Sequence, residues 1–310
     1  MKRSLFVALG AAAAAAPVAV RAQSAKAVRI GASPVESYLL AVYARDKGYF
    51  MRNGLDADVL YIPGASGGTT AAVVAGAIDV GCISMGPTSN AHLRGIPLRL
   101  LAAGAIITHE APATLLVVAK NSPIASARDL KGKTVGTVVL RDVITVAEAK
   151  WIDQNGGDSS SVKFVEMPMP NGAPALAAGR VDAYALAEPF LTNAADQIRP
   201  LGDIYDAIGP RVMISMHVAM ADWLAKNVDT ARRVRSAMRD AAQWANANRQ
   251  QANAILARET KIPLDTVGKM KHVIYGESLD VATIQPQIDA LAEYKYIARR
   301  FDVTDIIWSG

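Results

Sequence analysis

Apolar and polar positions alternate along this chain in a pattern that occurs twice. VRIGAS (28–33) is an apolar run broken by Gly. Residues 35–47 follow with Val35, Leu39, Val42 and Tyr43 at helical spacing, and Gly48 stops them. Asn53-Gly54 marks a turn before a second run, ADVLYIP (57–63). The Gly-rich loop Gly64-Ala65-Ser66-Gly67-Gly68 then leads into a short helix over 69–75 and a third run, AIDVGCIS (77–84). The second set reads KTVGTVV (133–139), a helix over 143–155, a Gly156-Gly157 turn, VKFVEMP (162–168), a Pro/Gly loop at 170–174, a short helix over 175–178, and RVDAYALA (180–187). Each set predicts βαβαβ, hence parallel strands with helices packed on the sheet.

The two sets share residues as well as pattern. AGAIDVGCISMGP (75–87) aligns with AGRVDAYALAEPF (178–190), placing Ala75/Ala178, Gly76/Gly179, Ile78/Val181 and Asp79/Asp182 in register. A period of about 100 residues is too long for a solenoid and predicts two similar lobes with a cleft between them. TLLVVAK (114–120) and the run at 212–221 are read as two crossing strands that form a hinge. Lobe 1 then comprises 23–117 and 212–310, and lobe 2 comprises 118–211. The remainder predicts helices over 230–260, with Val234, Met238, Ala241, Trp244 and Ala245 on one stripe, and over 284–299. The tail FDVTDIIW is expected to dock on the first lobe, and Arg232, Arg233, Arg235 and Arg239 to form a solvated helix face.

Composition refines this picture. The chain has 310 residues, 51% hydrophobic and 20% charged, enough for two domains with sizeable cores. Residues 1–22 read as a cleaved secretory signal peptide: Lys2 and Arg3, an apolar stretch from Leu5 to Ala16, then Val20-Arg21-Ala22 as a small-x-small site. The net charge of +5 includes Lys2, Arg3 and Arg21, so the rest is near neutral and carries no field that argues for nucleic acid. No cysteine lies near the cleavage site for lipid attachment, and a soluble, monomeric periplasmic protein is expected. Cys82 is the sole cysteine, so no intrachain disulfide can form, and its strand predicts an inert buried thiol.

The ordered motifs DKGYFMRNGLDADVLYIPG (46–64), VVAGAIDVGCIS (73–84), GIPLRLLAAG (95–104), NSPIASARDLKGKTVGT (121–137), LAAGRVDAYALAEP (176–189) and the late helix around Trp244 span nearly the whole chain. Together they resemble the periplasmic solute-binding proteins of ABC importers, in the group serving nitrate, alkanesulfonate, taurine and thiamine-precursor uptake. The resemblance implies a type II periplasmic binding protein-like α/β fold, a ligand held between two lobes that close by a hinge, and delivery to a permease and its ATPase. It names no single ligand.

Ligands of parallel α/β sheets sit beyond the carboxyl ends of the strands, where helix N-termini favour anions and carbonyl oxygens. In the first lobe this selects Ser33 and Glu36, then Ser66, Gly67 and Thr69, then Ser84 and Met85. In the second it selects Arg141, Asp142 and Glu188. A cation at a helix start is locally unfavourable, so Arg141 suggests an anion in the cleft; the plainer readings are a solvent-facing arginine, or one paired with Asp142 or Glu188. Glu188 offers an acceptor to a ligand N–H or a bridge to Arg141 on closure. A small polar, anionic solute such as a sulfonate or carboxylate is expected, with a pyrimidine or other heterocycle as the alternative. Tyr38, Tyr184 and Phe190 could approach such a ring.

Catalysis is not expected. His92, His109, His217 and His272 are scattered, and HExxH, GxSxG and GxxxxGK[ST] are absent. A relative in the thiamine pathway consumes its own histidine, but the Cys-rich motif that accompanies that chemistry is missing. No metal or cofactor is expected. A regulator's sensing domain would need a DNA-binding helix-turn-helix where the signal-peptide-like segment stands; a sensor subunit not coupled to import stays open.

Overall fold

The computed structural model describes residues 27–63 and 65–310, so the signal-peptide reading and Gly64 lie outside the described residues. Strand β1 (Val28–Ala32) leads through a 3-10 turn (Glu36–Tyr38) to α1 (Leu40–Asp46) and α2 (Tyr49–Arg52). Then come β2 (Ala57–Tyr61), α3 (Ala65–Val74), β3 (Val80–Ile83), α4 (Met85–Leu93), β4 (Leu98–Ala103), β5 (Ala105–Thr108) and β6 (Thr114–Ala119). The second set is β7 (Thr134–Thr137), α5 (Val143–Gln154), β8 (Lys163–Glu166), α6 (Gly172–Ala177), β9 (Ala183–Ala187), α7 (Phe190–Asn193) and β10 (Ile198–Gly202). The chain ends with β11 (Arg211–Met213), β12 (Met216–Met220), α8 (Ala221–Lys226), α9 (Val228–Ala247), α10 (Arg249–Thr260), α11 (Leu264–Val267), β13 (Ile274–Tyr275) and α12 (Val281–Glu293).

These strands form two five-stranded mixed sheets, β2-β1-β3-β12-β4 and β10-β6-β9-β7-β8, and a small third sheet, β11-β5-β13. The predicted repeat is visible as a repeated pairing: β1 lies parallel to β2 and β3, as β7 does to β8 and β9. It is also visible as a repeated hydrogen-bond device. Asp79 accepts from Arg29 N–H at 2.9 Å and Asp182 accepts from Thr134 N–H at 2.9 Å, each fixing the start of the first strand of its repeat. Gly76 and Gly179 hold φ of 68° and 65°, the left-handed turn that lets each short helix double back into its strand.

Several expectations need correction. TLLVVAK does not cross between lobes: β6 is paired on both sides, with β9 and β10, inside the second sheet. Of the run at 212–221 only its start crosses, since β12 is paired on both sides inside the first sheet. The chain instead crosses through β5 and residues 109–113, and returns through 203–210 and β11. These passages lie side by side because β5 and β11 pair antiparallel. The helix expected over 230–260 is two helices, broken at Asn248, whose N–H and side-chain amide both donate to Trp244 O. Arg235 is not solvated; it is half-buried, stacks over Trp308 at 4.9 Å and donates to Gly310 O, pinning the tail. That tail reaches the first sheet, where Trp308 N donates to Leu100 O at 2.9 Å.

Candidate functional site

A cavity of about 640 Å³ lies between the two large sheets. Loops beyond the carboxyl ends of β1, β2 and β3 supply one wall: Ser33–Val35 with Ser37 and Tyr38, Ile62 with Ser66 and Gly67, and Ser84. Loops beyond β7, β8 and β9 supply the other: Val138 to Ile144 in part, Glu166 to Pro170, Ala187 and Phe190, joined by Thr114, Tyr205 and Ile214. This is where parallel strands leave room for a ligand.

The walls are largely apolar, and one polar chain runs across them. Tyr38 Oη lies 3.2 Å from Ser66 Oγ, which accepts from Ser84 N–H at 3.1 Å. Ser84 Oγ donates to Asp142 Oδ2 at 2.5 Å. Asp142 Oδ1 accepts from Gly86 N–H at 2.9 Å and Val143 N–H at 2.7 Å. One carboxylate therefore caps α5, its own helix, and also meets the N-terminus of α4 from the opposite sheet. Gly86 permits this approach: a Cβ there would lie 2.3 Å from Asp142 Oδ1. Asp142 is 3% exposed, and burial raises its pKa against the three donors that lower it. Burial likewise pushes the Tyr38 phenol up.

Of the ten residues selected from sequence, Ser33, Ser66, Gly67, Ser84 and Asp142 line this cavity. Ser66 and Gly67 stand in the first turn of α3, which begins earlier than expected. The other five point elsewhere. Arg141 adopts φ 58°, and its guanidinium donates to Lys295 O at 2.9 Å and Tyr296 O at 3.1 Å, just past the end of α12. Backbone carbonyls beyond a helix C-terminus attract a cation, so no anion in the cleft is needed to explain this arginine. Glu36 accepts from His272 Nδ1 at 2.6 Å, Arg249 at 3.4 Å and Val273 N–H at 3.3 Å, tying its turn to the 270s segment. Glu188 accepts from Thr192 N–H and Oγ1 at 3.0 and 2.7 Å and makes no bridge to Arg141. Thr69 and Met85 are buried in the core.

Tyr38 and Phe190 approach the cavity as anticipated, whereas Tyr184 donates to Met167 O at 2.9 Å behind the wall. Thr114, Glu166, Tyr205 and Ile214 were not anticipated; three lie outside the repeat, and only the Pro-rich run after β8 hinted at the fourth. Among the described residues, the cavity lining includes no Lys, Arg or His. His109, Asp203 and Asp206 put three metal-capable atoms within 4.8 Å of one another where the outgoing and return passages meet, but none of the three lines the cavity, and His109 Nδ1 pairs with Asp206 at 2.7 Å. Cys82 is buried and its thiol pushed up to about 12, which keeps it protonated and inert.

Residues 37–252 match the model of the NMT1/THI5 like family. The chain belongs to the NMT1/THI5-like family. Over 246 residues this family member is 26% identical to a protein of Escherichia coli (strain K12) named as an aliphatic sulfonates-binding protein, covering 75% of each chain. Its fold is similar to that of the periplasmic aliphatic sulphonate binding protein SsuA from Escherichia coli, at TM-score 0.73 and 20% identity over 92% of this chain and 93% of that one. The desulfurization enzyme DSZB is also similar, at TM-score 0.69 and 16% identity over 91% and 96%. The NMT1/THI5-like fold is thus of the periplasmic binding protein type, and it is shared by a protein that binds and a protein that catalyses. No described helix is long and apolar enough to cross a membrane.

Proposed function

We propose that this protein is the periplasmic solute-binding component of an ABC import system, taking one small organic solute between its lobes and presenting it to a permease. The observation that carries this reading is the cavity of about 640 Å³ built by strand-end loops of both sheets, a size in the usual range for small-molecule sites. The paired passages through β5 and β11 supply a hinge about which the lobes close. We take the lobes as 23–117 with 212–310, and 118–211, moving the first boundary to about 113 because β6 pairs in the second sheet from Thr114. The polar chain Tyr38–Ser66–Ser84–Asp142 offers no histidine or lysine base to its hydroxyls and no metal cluster, which favours binding over chemistry.

The solute's body is mostly apolar, since valines, isoleucines, prolines and methionines make up half of the lining residues, and Tyr38 and Phe190 suit a ring. This favours a neutral heterocycle or similar solute over the simple anion suggested by Arg141. The sulfonate reading rests on the relatives' names. A thermal-shift screen of the chain from residue 23, with alkanesulfonates, taurine, nitrate, carboxylates and pyrimidines, tests the proposal. A ligand at about 100 times its Kd stabilises by about 2.7 kcal/mol, several degrees, and should also reduce the radius of gyration in solution scattering. A flat response, with no small molecule released on denaturing the purified protein, would overturn it.

A further inference from the structure

We infer that Asp142 is a built-in anion that fills the cleft's anion position, so that the solute brings a hydrogen-bond donor and no net negative charge. This deepens the solute-binding reading and rests on it. Helix N-termini from the two sheets, α4 and α5, converge beside the cavity, and such ends ordinarily draw an anionic ligand. Here the protein's own carboxylate takes Gly86 N–H from one helix and Val143 N–H from the other. Gly86 makes the fit possible, since any Cβ would meet Asp142 at 2.3 Å.

The acceptor capacity that the protein leaves unused is equally informative. An ionised carboxylate has about four acceptor positions. Three are used, two on Oδ1 and one on Oδ2 by Ser84 Oγ. The group lines the cavity, and among the described residues no Lys, Arg or His pairs with it. Glu166, also in the lining, adds a second acid at the rim, and no lining residue carries positive charge. A sulfonate or carboxylate head entering here meets a carboxylate that has already taken the N–H groups of Gly86 and Val143 and the hydroxyl of Ser84. A protonated amine, or the N–H of a ring amide or amino group, instead completes Asp142 and leaves the apolar walls to the rest of the molecule. Exclusion of anions is thus a specificity device written as charge repulsion.

Three probes that share one benzyl body test this: benzylamine, benzyl alcohol and phenylmethanesulfonate, with binding followed by ligand-observed NMR up to ~10 mM. The wild-type protein should bind the amine about 100-fold more tightly than the sulfonate, with the alcohol between them. In Asp142→Asn the amine and sulfonate should come within about tenfold of each other. Sulfonate binding equal to or tighter than amine binding in the wild type overturns the inference while leaving solute binding intact. Binding of none of the three also overturns it, and the broad screen then judges the solute-binding reading separately. Because the wild-type ratio decides the matter, a poorly folding variant does not shelter the proposal.

Discussion

Glu148 on α5 is fully buried, and neither of its carboxylate oxygens has a hydrogen bond of normal geometry. Burial, the largest cause, raises its pKa well above the usual value, and the groups that sense its charge are tyrosines: Tyr184, Tyr205 and Tyr296. The native state therefore disfavours the ionised form. In the unfolded chain Glu148 ionises near pH 4.5 while the native group stays protonated, so its contribution to stability falls as pH rises from there toward the native pKa. Glu148→Gln should raise Tm at pH 7, by about 2–4 °C for each ~1 kcal/mol recovered, and the gain should shrink toward zero below about pH 4.5. Thermal melts of both proteins across that range check it; a gain that does not change with pH would mean the carboxyl is already satisfied. Arg141 makes the same point about local environment. Read from sequence it suggested an anion, because its side-chain direction depends on a positive φ that no residue pattern announces.

Among the elements, the repeat is the most legible feature. Alternating runs placed both sets of strands and the helix in front of Asn155 to within three residues, since apolar periodicity is set by burial on one face. The short helices were less legible. α3 starts at Ala65 rather than at residue 69, and α6 at Gly172 rather than at 175, because glycines read as loop were recruited into the first helical turn. The aspartates shared by the two sets now have a physical role as strand clamps. Asp79→Ala should cost more than Asp182→Ala, because Asp79 also holds Arg29 at 2.8 Å, whereas Lys133 stands 3.6 Å from a more exposed Asp182. A loss of about 1–3 kcal/mol for the first and about 1 for the second is expected by chemical denaturation. Equal losses would contradict the clamp account.

For the molecule as a whole, the sequence pointed to a cleft, to five of the loops that line it and to half of the chosen side chains, but not to what joins the lobes across it. The bridge from Asp142 to Ser84 and Gly86 links residues from different sheets, and contacts of that separation leave no local periodicity to read. Gly86→Ala tests it. Alanine is the better helix former by about 0.5–1 kcal/mol, yet its Cβ would occupy the space of Asp142 Oδ1, so the lobes should part. Scattering should show a larger radius of gyration without ligand, and Tm should fall despite the propensity gain, by an amount matching about 1–3 kcal/mol of overpacking. An unchanged radius would mean the bridge does not set the lobe spacing.

The position of β12 has a consequence for how the protein is made. In the first sheet it lies between β3 and β4, pairing antiparallel with both. Its neighbours leave the ribosome early, and the strand that fills the gap arrives only after every strand of the second sheet has been synthesised. Until then the nascent first sheet is split, with two unpaired edges facing an empty slot. The lobe that starts first therefore finishes last, and the closing step must draw together residues far apart in the chain, an entropic penalty that favours slow completion. A half-made chain of this topology stays loose and threadable until its final third emerges.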